Sequence, residues 1–361
     1  MNHKFKKTEK IFFALFVLFS TSAKAQNVTL LNQEDSSNVI DIVGYFCKGD
    51  TLEYENMQDS WVCTLGDTSD VSRYITDFRV IINDSTKNGY EMEYIPLNYS
   101  VCQETSEDET SSMKKNLEDI TTSLIFSKHI HAKFTTDEFG GIKHIKNWKE
   151  IKTALYDGIE KTYDSLYQTK PGLDSIISRK NITAIIKLKI STEDGIKDVY
   201  KDMNMLFGLH GKEFDIGKTE STDSTGYPSK TILVASLENA DKNIEDSYDG
   251  DYGVSETTVT KIPKEDIADL VELSLGILSK GEKGDSINNI INQYMKDSIN
   301  GNITMAENED YHYFFNGWPK KMRTQKIVNL AGFTKVAETD ISWTKASCNN
   351  YKKDEEEQKK I

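Results

Sequence analysis

Three of the six histidines, His129, His131 and His144, fall close together in "FSKHIHAKFTTDEFGGIKHIKNWKEI". Imidazole is a common ligand of transition metals, and three rings converging on one face of a hairpin can hold zinc. With the turn centred between Glu138 and Phe139, His144 stands opposite Lys133 and shares a face with His129 and His131. The rings of His131 and His144 then sit diagonally, with backbones about 7–8 Å apart. Lys133 and Lys146 bring positive charge to the same face, and a slip of one residue turns His144 to the other side. Ile130, Ala132, Phe134 and Ile145 alternate with polar residues, which makes the apolar side of the hairpin the inward one and points the histidines to water. The reading taken is therefore a hairpin, with zinc as the lesser alternative.

A second candidate is "EDSYDGDYGVSE" at 245–256. Counted from Glu245, it places Asp249, Asp251 and Glu256 at positions five, seven and twelve of a calcium-loop template, with Gly250 at six. Glu stands where the template wants Asp, and the flanks read as strands rather than helices. An acidic hairpin loop is the plainer account, with weak calcium binding as the alternative. Motifs for hydrolysis or nucleotide binding are missing: no GxSxG, HExxH, GxxxxGK[ST] or strand-borne GxGxxG occurs. Ser112 to Lys115 has SxxK spacing without a matching KTG triplet. The 58 acidic residues make carboxylate pairs unavoidable, so none is singled out as catalytic.

The four cysteines, Cys47, Cys63, Cys102 and Cys348, bear on the compartment. "MNHKFKKTEK", the apolar run "IFFALFVLFSTS" and "AKA" before Gln26 read as a signal peptide over 1–25. In an exported chain an even cysteine count suggests disulfides, here Cys47 with Cys63 and Cys102 with Cys348. Gln26 in place of Cys argues against a lipid anchor, and no later apolar run reaches membrane-spanning length. The expectation is a periplasmic or secreted bacterial protein. Removing the leader takes away five Lys and one Glu and moves the formal charge from −14 to −18. Phosphate contacts need clustered Lys or Arg, so nucleic acid is excluded as a partner.

The elements that must position these residues come in blocks. Residues 51–101 alternate in the manner of strands, with an Asn-Gly hairpin at 88–89. Apolar residues at helical spacing then predict helices over 107–127, 148–167 (capped by Asn147) and 193–211. Strands resume over 230–239 and 252–262, helices at 264–280 and 285–299, and a last set of strands runs to about 343. Strand blocks separated by helix blocks point to α+β: a curved antiparallel sheet, a partial barrel, with inserted amphipathic helices packed on one face. Residues 26–345 read as one domain, with a junction of two sub-lobes near 210, and 346–361 as a charged, disordered tail.

"KGDTLEY", "FTTDEFGGIKHIKNW" and "YHYFFNGWPKKM" resemble strand and turn signatures of exported envelope proteins from Bacteroidetes-type bacteria. That group is distantly similar to the lipoprotein-carrier architecture, a curved sheet with helices in its mouth. The resemblance implies a fold and assigns no catalytic residue. The 17 Tyr and 15 Phe, in a sheet that helices only partly fill, lead to the functional expectation. It is a non-enzymatic protein with a groove for a lipid-like or peptide-like ligand or another envelope protein. A structural or surface-interaction protein with a filled core, and an envelope hydrolase with an unrecognised carboxylate site, are the alternatives.

Overall fold

The computed structural model describes residues 39–64, 67–103, 117–169, 178–238, 251–263, 266, 303–330 and 333–347. The expected leader, the tail beyond Ser347, Ser112–Lys115 and the helices expected at 264–280 and 285–299, Asp266 apart, lie outside these residues.

Leu52, Tyr54 and Asn56 are buried and alternate with Glu53, Glu55 and Met57, the period of a strand with one covered face. Beyond Asn56 the residues up to Cys63 are half-buried on both faces, yet the strand runs on through Trp61, so two expected strands are one, β2 (Thr51–Thr64). β3 (Asp67–Thr86) and β4 (Gly89–Gln103) continue the meander through the expected hairpin, with Gly89 at φ 131°. Helix α1 (Leu117–Ser127) leads to the short hairpin β5 (Ala132–Thr136) and β6 (Ile142–Ile145). Helix α2 (Trp148–Thr169) buries Ile151, Leu155, Ile159 and Tyr163 along one stripe, as its spacing predicts. Asn147 does more than precede it: its side chain accepts from Lys133 N (2.9 Å) and donates to His131 O (3.0 Å), tying the helix start to β5.

Helix α3 (Arg179–Lys189), capped by Ser178, was not anticipated. The helix expected over 193–211 is two, α4 (Glu193–Val199) and α5 (Lys201–Phe207). They part at Tyr200, a buried residue at φ −92°, ψ 60° whose hydroxyl donates to Ile130 O (2.9 Å). β1 (Val39–Asp41) pairs only with β7 (Glu213–Asp215). The second meander is β8 (Gly217–Asp223), β9 (Ser229–Glu238), β10 (Asp251–Ile262), β11 (Ile303–Tyr313), β12 (Pro319–Leu330) and β13 (Phe333–Ser347).

The eleven-stranded sheet has the order β6-β5-β4-β3-β2-β13-β12-β11-β10-β9-β8, antiparallel at every pair. It is open, with β6 and β8 as edges, and it is joined across its middle by β2 and β13. The class is α+β and the sheet a curved, unclosed one, as expected. Among the described residues the helices pack on one face: α1 lies on β4, α4 on β6, and α5 reaches β12. Tyr54, Phe78 and Tyr94 stack beneath them at centroid distances of 5.5 and 4.7 Å.

One end of the curved sheet is closed by residues 42–46. Ile42 N donates to Lys212 O, Gly44 N to Phe139 O (2.7 Å) and Tyr45 N to Asn316 O (3.0 Å), so the segment is bonded to three separate turns. Gly317 sits at φ 72°, and a Cβ there would lie 1.9 Å from Val43 O. Only glycine allows this approach.

Candidate functional site

The structure does not bring the three histidines together. In the hairpin Phe134 pairs with Ile145 and Thr135 with His144, so His144 lies two residues further along than the expected position opposite Lys133. The cause is the turn. The Asp137 carboxylate accepts from Phe139 N (3.0 Å) and Gly141 N (2.8 Å), which draws all of 137–141 into the loop. His144 is then about 13 Å along the strand from His131. Each ring has its own neighbour: His131 Nδ1 is 3.0 Å from Glu93, His144 Nδ1 3.5 Å from Glu193, and His129, in a turn at φ 48°, faces Pro96 O.

Of the calcium candidate, Asp251 and Glu256 fall within the described residues. Asp251 and Glu256 lie on one continuous strand, β10, five residues and about 17 Å apart, with side chains on opposite faces. Asp251 binds Lys320 at 2.7 Å, and Glu256 stands opposite Glu309. Asp249 lies outside the described residues. Among the described residues no group of three or more His, Cys, Asp or Glu is placed to hold a metal ion.

The pairing of Cys47 with Cys63 is also overturned. Cys47 precedes β2 and Cys63 lies near its far end, so roughly 40 Å of extended strand separates them, against the 4.4–6.8 Å between Cα atoms that a disulfide typically spans. The segment between the two cysteines is one long strand, and its ends do not meet. Cys102 is opposite Arg73 on β4, and Cys348 lies outside the described residues.

What the fold does assemble is a polar cluster on the inner face. Asn56 on β2 and Thr76 on β3 are directly opposite each other, at 0% and 1% exposure. The break at Tyr200 turns Asp202 of α5 inward over them. Its carboxylate accepts from Asn56 Nδ2 (2.9 Å) and Tyr94 Oη (3.1 Å). Burial first, then the Asp202 charge, pushes the Tyr94 phenol well above its usual range, so it stays a donor. Asn56 Oδ1 and Thr76 Oγ1 are buried and accept or donate nothing. Beside them a cavity of about 20 Å³, lined in part by Gln58, Thr122, Ile125, Phe126 and Val199, has room for one water molecule.

Because Thr76 Oγ1 is buried without a partner, Thr76→Val, which keeps the shape and removes the hydroxyl, is expected to stabilise the fold by about 1 kcal/mol. Urea unfolding midpoints of the two chains check this. A loss of stability would mean that the hydroxyl is satisfied in solution.

One row further along the inner face the register aligns Tyr74, Gln58, Thr339, Thr324, Glu309, Glu256 and Leu233. Tyr311 Oη donates to Glu309 (3.0 Å) and Thr258 Oγ1 to Glu256 (3.3 Å). The inner wall thus passes from aromatic near the closed end to polar toward the open one.

The closed end holds a histidine that belongs to none of the sequence motifs above. His210 is packed by Phe46, Phe207 and Tyr313 at centroid distances of 5.9, 5.5 and 5.5 Å. Its Nε2 lies 2.8 Å from Gly317 O. A carbonyl only accepts, so Nε2 carries the proton, and Nδ1 is buried without a partner. Burial lowers the imidazole pKa from 6.5 to about 4.

No protein-family model matches the chain, and no curated protein matches it. Among solved structures it is similar to lipovitellin, in a study of lipid–protein interactions, at a TM-score of 0.36 and 10% identity. That match covers 84% of this chain but only 26% of the lipovitellin chain. It is also similar to an outer-membrane channel from Pseudomonas putida F1, at a TM-score of 0.14 and 6% identity over 86% of this chain and all of the other. A porin-like protein from Bacteroides uniformis matches at 0.15 and 8%, over 81% and 96% of the two chains. At these scores the likeness assigns neither a fold family nor a role, and no described helix is long and apolar enough to cross a membrane.

Proposed function

We propose that this is a non-enzymatic protein of the bacterial envelope that binds an amphipathic, lipid-like ligand at the open end of its half-barrel. The observation that carries the reading is the Asp202 cluster. A carboxylate and two orphaned oxygens lie beside a small cavity whose lining includes Ile125, Phe126 and Val199, and apolar walls converging on a few polar groups are the mark of ligand sites. The polar head would meet Asp202 and Gln58, and the apolar part would displace α1 from β4. The resemblance to exported envelope proteins and carriers is in keeping with this reading.

Native mass spectrometry of protein from its own envelope, with thermal shifts against a lipid and peptide panel, tests it. A ligand at a hundred times its Kd adds about 2.7 kcal/mol, or roughly 5 °C for a chain of this size. A ligand-free protein that responds to nothing in the panel would overturn the reading. The cavity of about 20 Å³ favours the second reading, a surface-interaction protein with a filled core, which predicts that result.

A further inference from the structure

We propose that the closed end of the half-barrel rests on a zwitterionic lipid surface through Tyr45, Phe139 and Phe315. The proposal is independent of what the open end binds. These three aromatic side chains are exposed at 66, 43 and 55% and come from three connections: the segment between β1 and β2, the β5–β6 turn and the β11–β12 turn. Tyr45 N is bonded to Asn316 O beside Phe315, and Gly44 N to Phe139 O, so the three tips adjoin. Single exposed apolar residues are ordinary on a protein surface, whereas adjoining ones mark a contact.

The tips are also held firmly from below. Trp318 Nε1 donates to Tyr45 O (2.9 Å), Tyr90 Oη to Gly44 O (2.7 Å), and Phe46 packs against Trp318 and His210. Their spacing is therefore set before any contact is made, and no loop has to be ordered on binding.

The form of the surface selects the partner. Three rings on convex turns are knobs, and a folded protein would need three matching hollows. The interfacial region of a bilayer deforms around a knob, and Tyr and Phe side chains partition into it. Beside the tips Glu138 lies 3.9 Å from Lys143 and Asp84 3.2 Å from Lys48, while the Asp137 carboxylate accepts from the backbone N–H groups of Phe139 and Gly141, so no cluster of cations stands there. The end therefore needs no anionic lipid, although the chain as a whole is acidic.

The test is vesicle binding by the full chain carrying Phe139→Trp, using phosphatidylcholine and phosphatidylethanolamine vesicles with brominated acyl chains. Quenching of the introduced indole beyond the signal of the unsubstituted chain is expected. Because it reports the 139 position, insertion of another segment does not produce it. Phe315→Ser or Tyr45→Ser in that background is expected to lower the partition by about tenfold each, since burying a large apolar side chain is worth roughly that factor or more. The melting temperature should not move, because both side chains are on the surface. The proposal is overturned if the indole is not quenched, if the serine variants bind as well as their parent, or if binding needs anionic lipid and disappears at high salt. Capture of a protein partner without vesicle binding overturns it as well.

Discussion

Between pH 6.5 and pH 4 the fold is expected to lose about 3 kcal/mol through His210 alone. In the folded chain this imidazole takes up a proton only near pH 4, whereas the unfolded chain takes it up near 6.5. The contribution of the neutral ring is complete above pH 6.5 and is lost as the pH falls toward 4, because the unfolded state binds the proton first. Protonation would place a hydrogen on Nδ1 where no acceptor lies. Asp137, the carboxylate nearby, favours the charged form but does not offset burial. Carboxylates elsewhere also titrate in this range, so the comparison that isolates His210 is His210→Gln, whose amide nitrogen can still donate to Gly317 O. Urea unfolding of both chains at pH 7 and pH 4.5 should show a steeper fall for the parent. Parallel falls would mean that the ring is hydrated or paired in solution.

Asp202→Ala is expected to destabilise the fold by about 4 kcal/mol. The substitution leaves the Asn56 amide and the Tyr94 hydroxyl as buried donors without an acceptor, each at about 1–3 kcal/mol, and it enlarges the cavity beside them. Tyr94→Phe removes one donor together with its need for a partner, so it should cost about 1 kcal/mol alone and less than that in the Asp202→Ala background. The non-additivity is the signature of direct contact. Additive losses, or a loss below about 1 kcal/mol for Asp202→Ala, would show that the carboxylate faces water.

Much of the architecture was legible because it rests on period. The alternation in β2, β3 and β4, the stripe of Ile151, Leu155, Ile159 and Tyr163, and the blocks of strands and helices led directly to an α+β sheet. Elements without a buried stripe were not legible. β8 is exposed along its whole length, and its polar sequence carries no sign of the pairing with β9. Register failed where a side chain reset the count, since the Asp137 contacts lengthen the β5–β6 turn and move His144 by two positions. The candidate site was missed for a related reason. Asp202 is a lone acid next to a break that only the burial of Tyr200 produces, although its place four residues before Leu206, on an apolar stripe, was a usable signal. His210, in "MLFGLHG", read as the end of a helix, and only the meeting of four distant segments makes it a buried base.

The pairing of β2 with β13 also bears on how the chain reaches this state. Within each meander most strands pair with the next one in the chain, the longer connections being those from Gln103 to Ala132 and from Ile262 to Ile303, but the seam between them joins residues 51–64 to 333–347. Until the last strand arrives, β2 presents an unpaired edge of fourteen residues, and the second meander ends in an equally raw one. An open edge of that length is a template for other chains, and contacts this distant in sequence are slow to form. The hazard is thus concentrated in one late step: a chain stopped before residue 333 would hold two competent half-sheets and no means of capping either. Its expected fate is intermolecular pairing along the seam that β13 normally occupies.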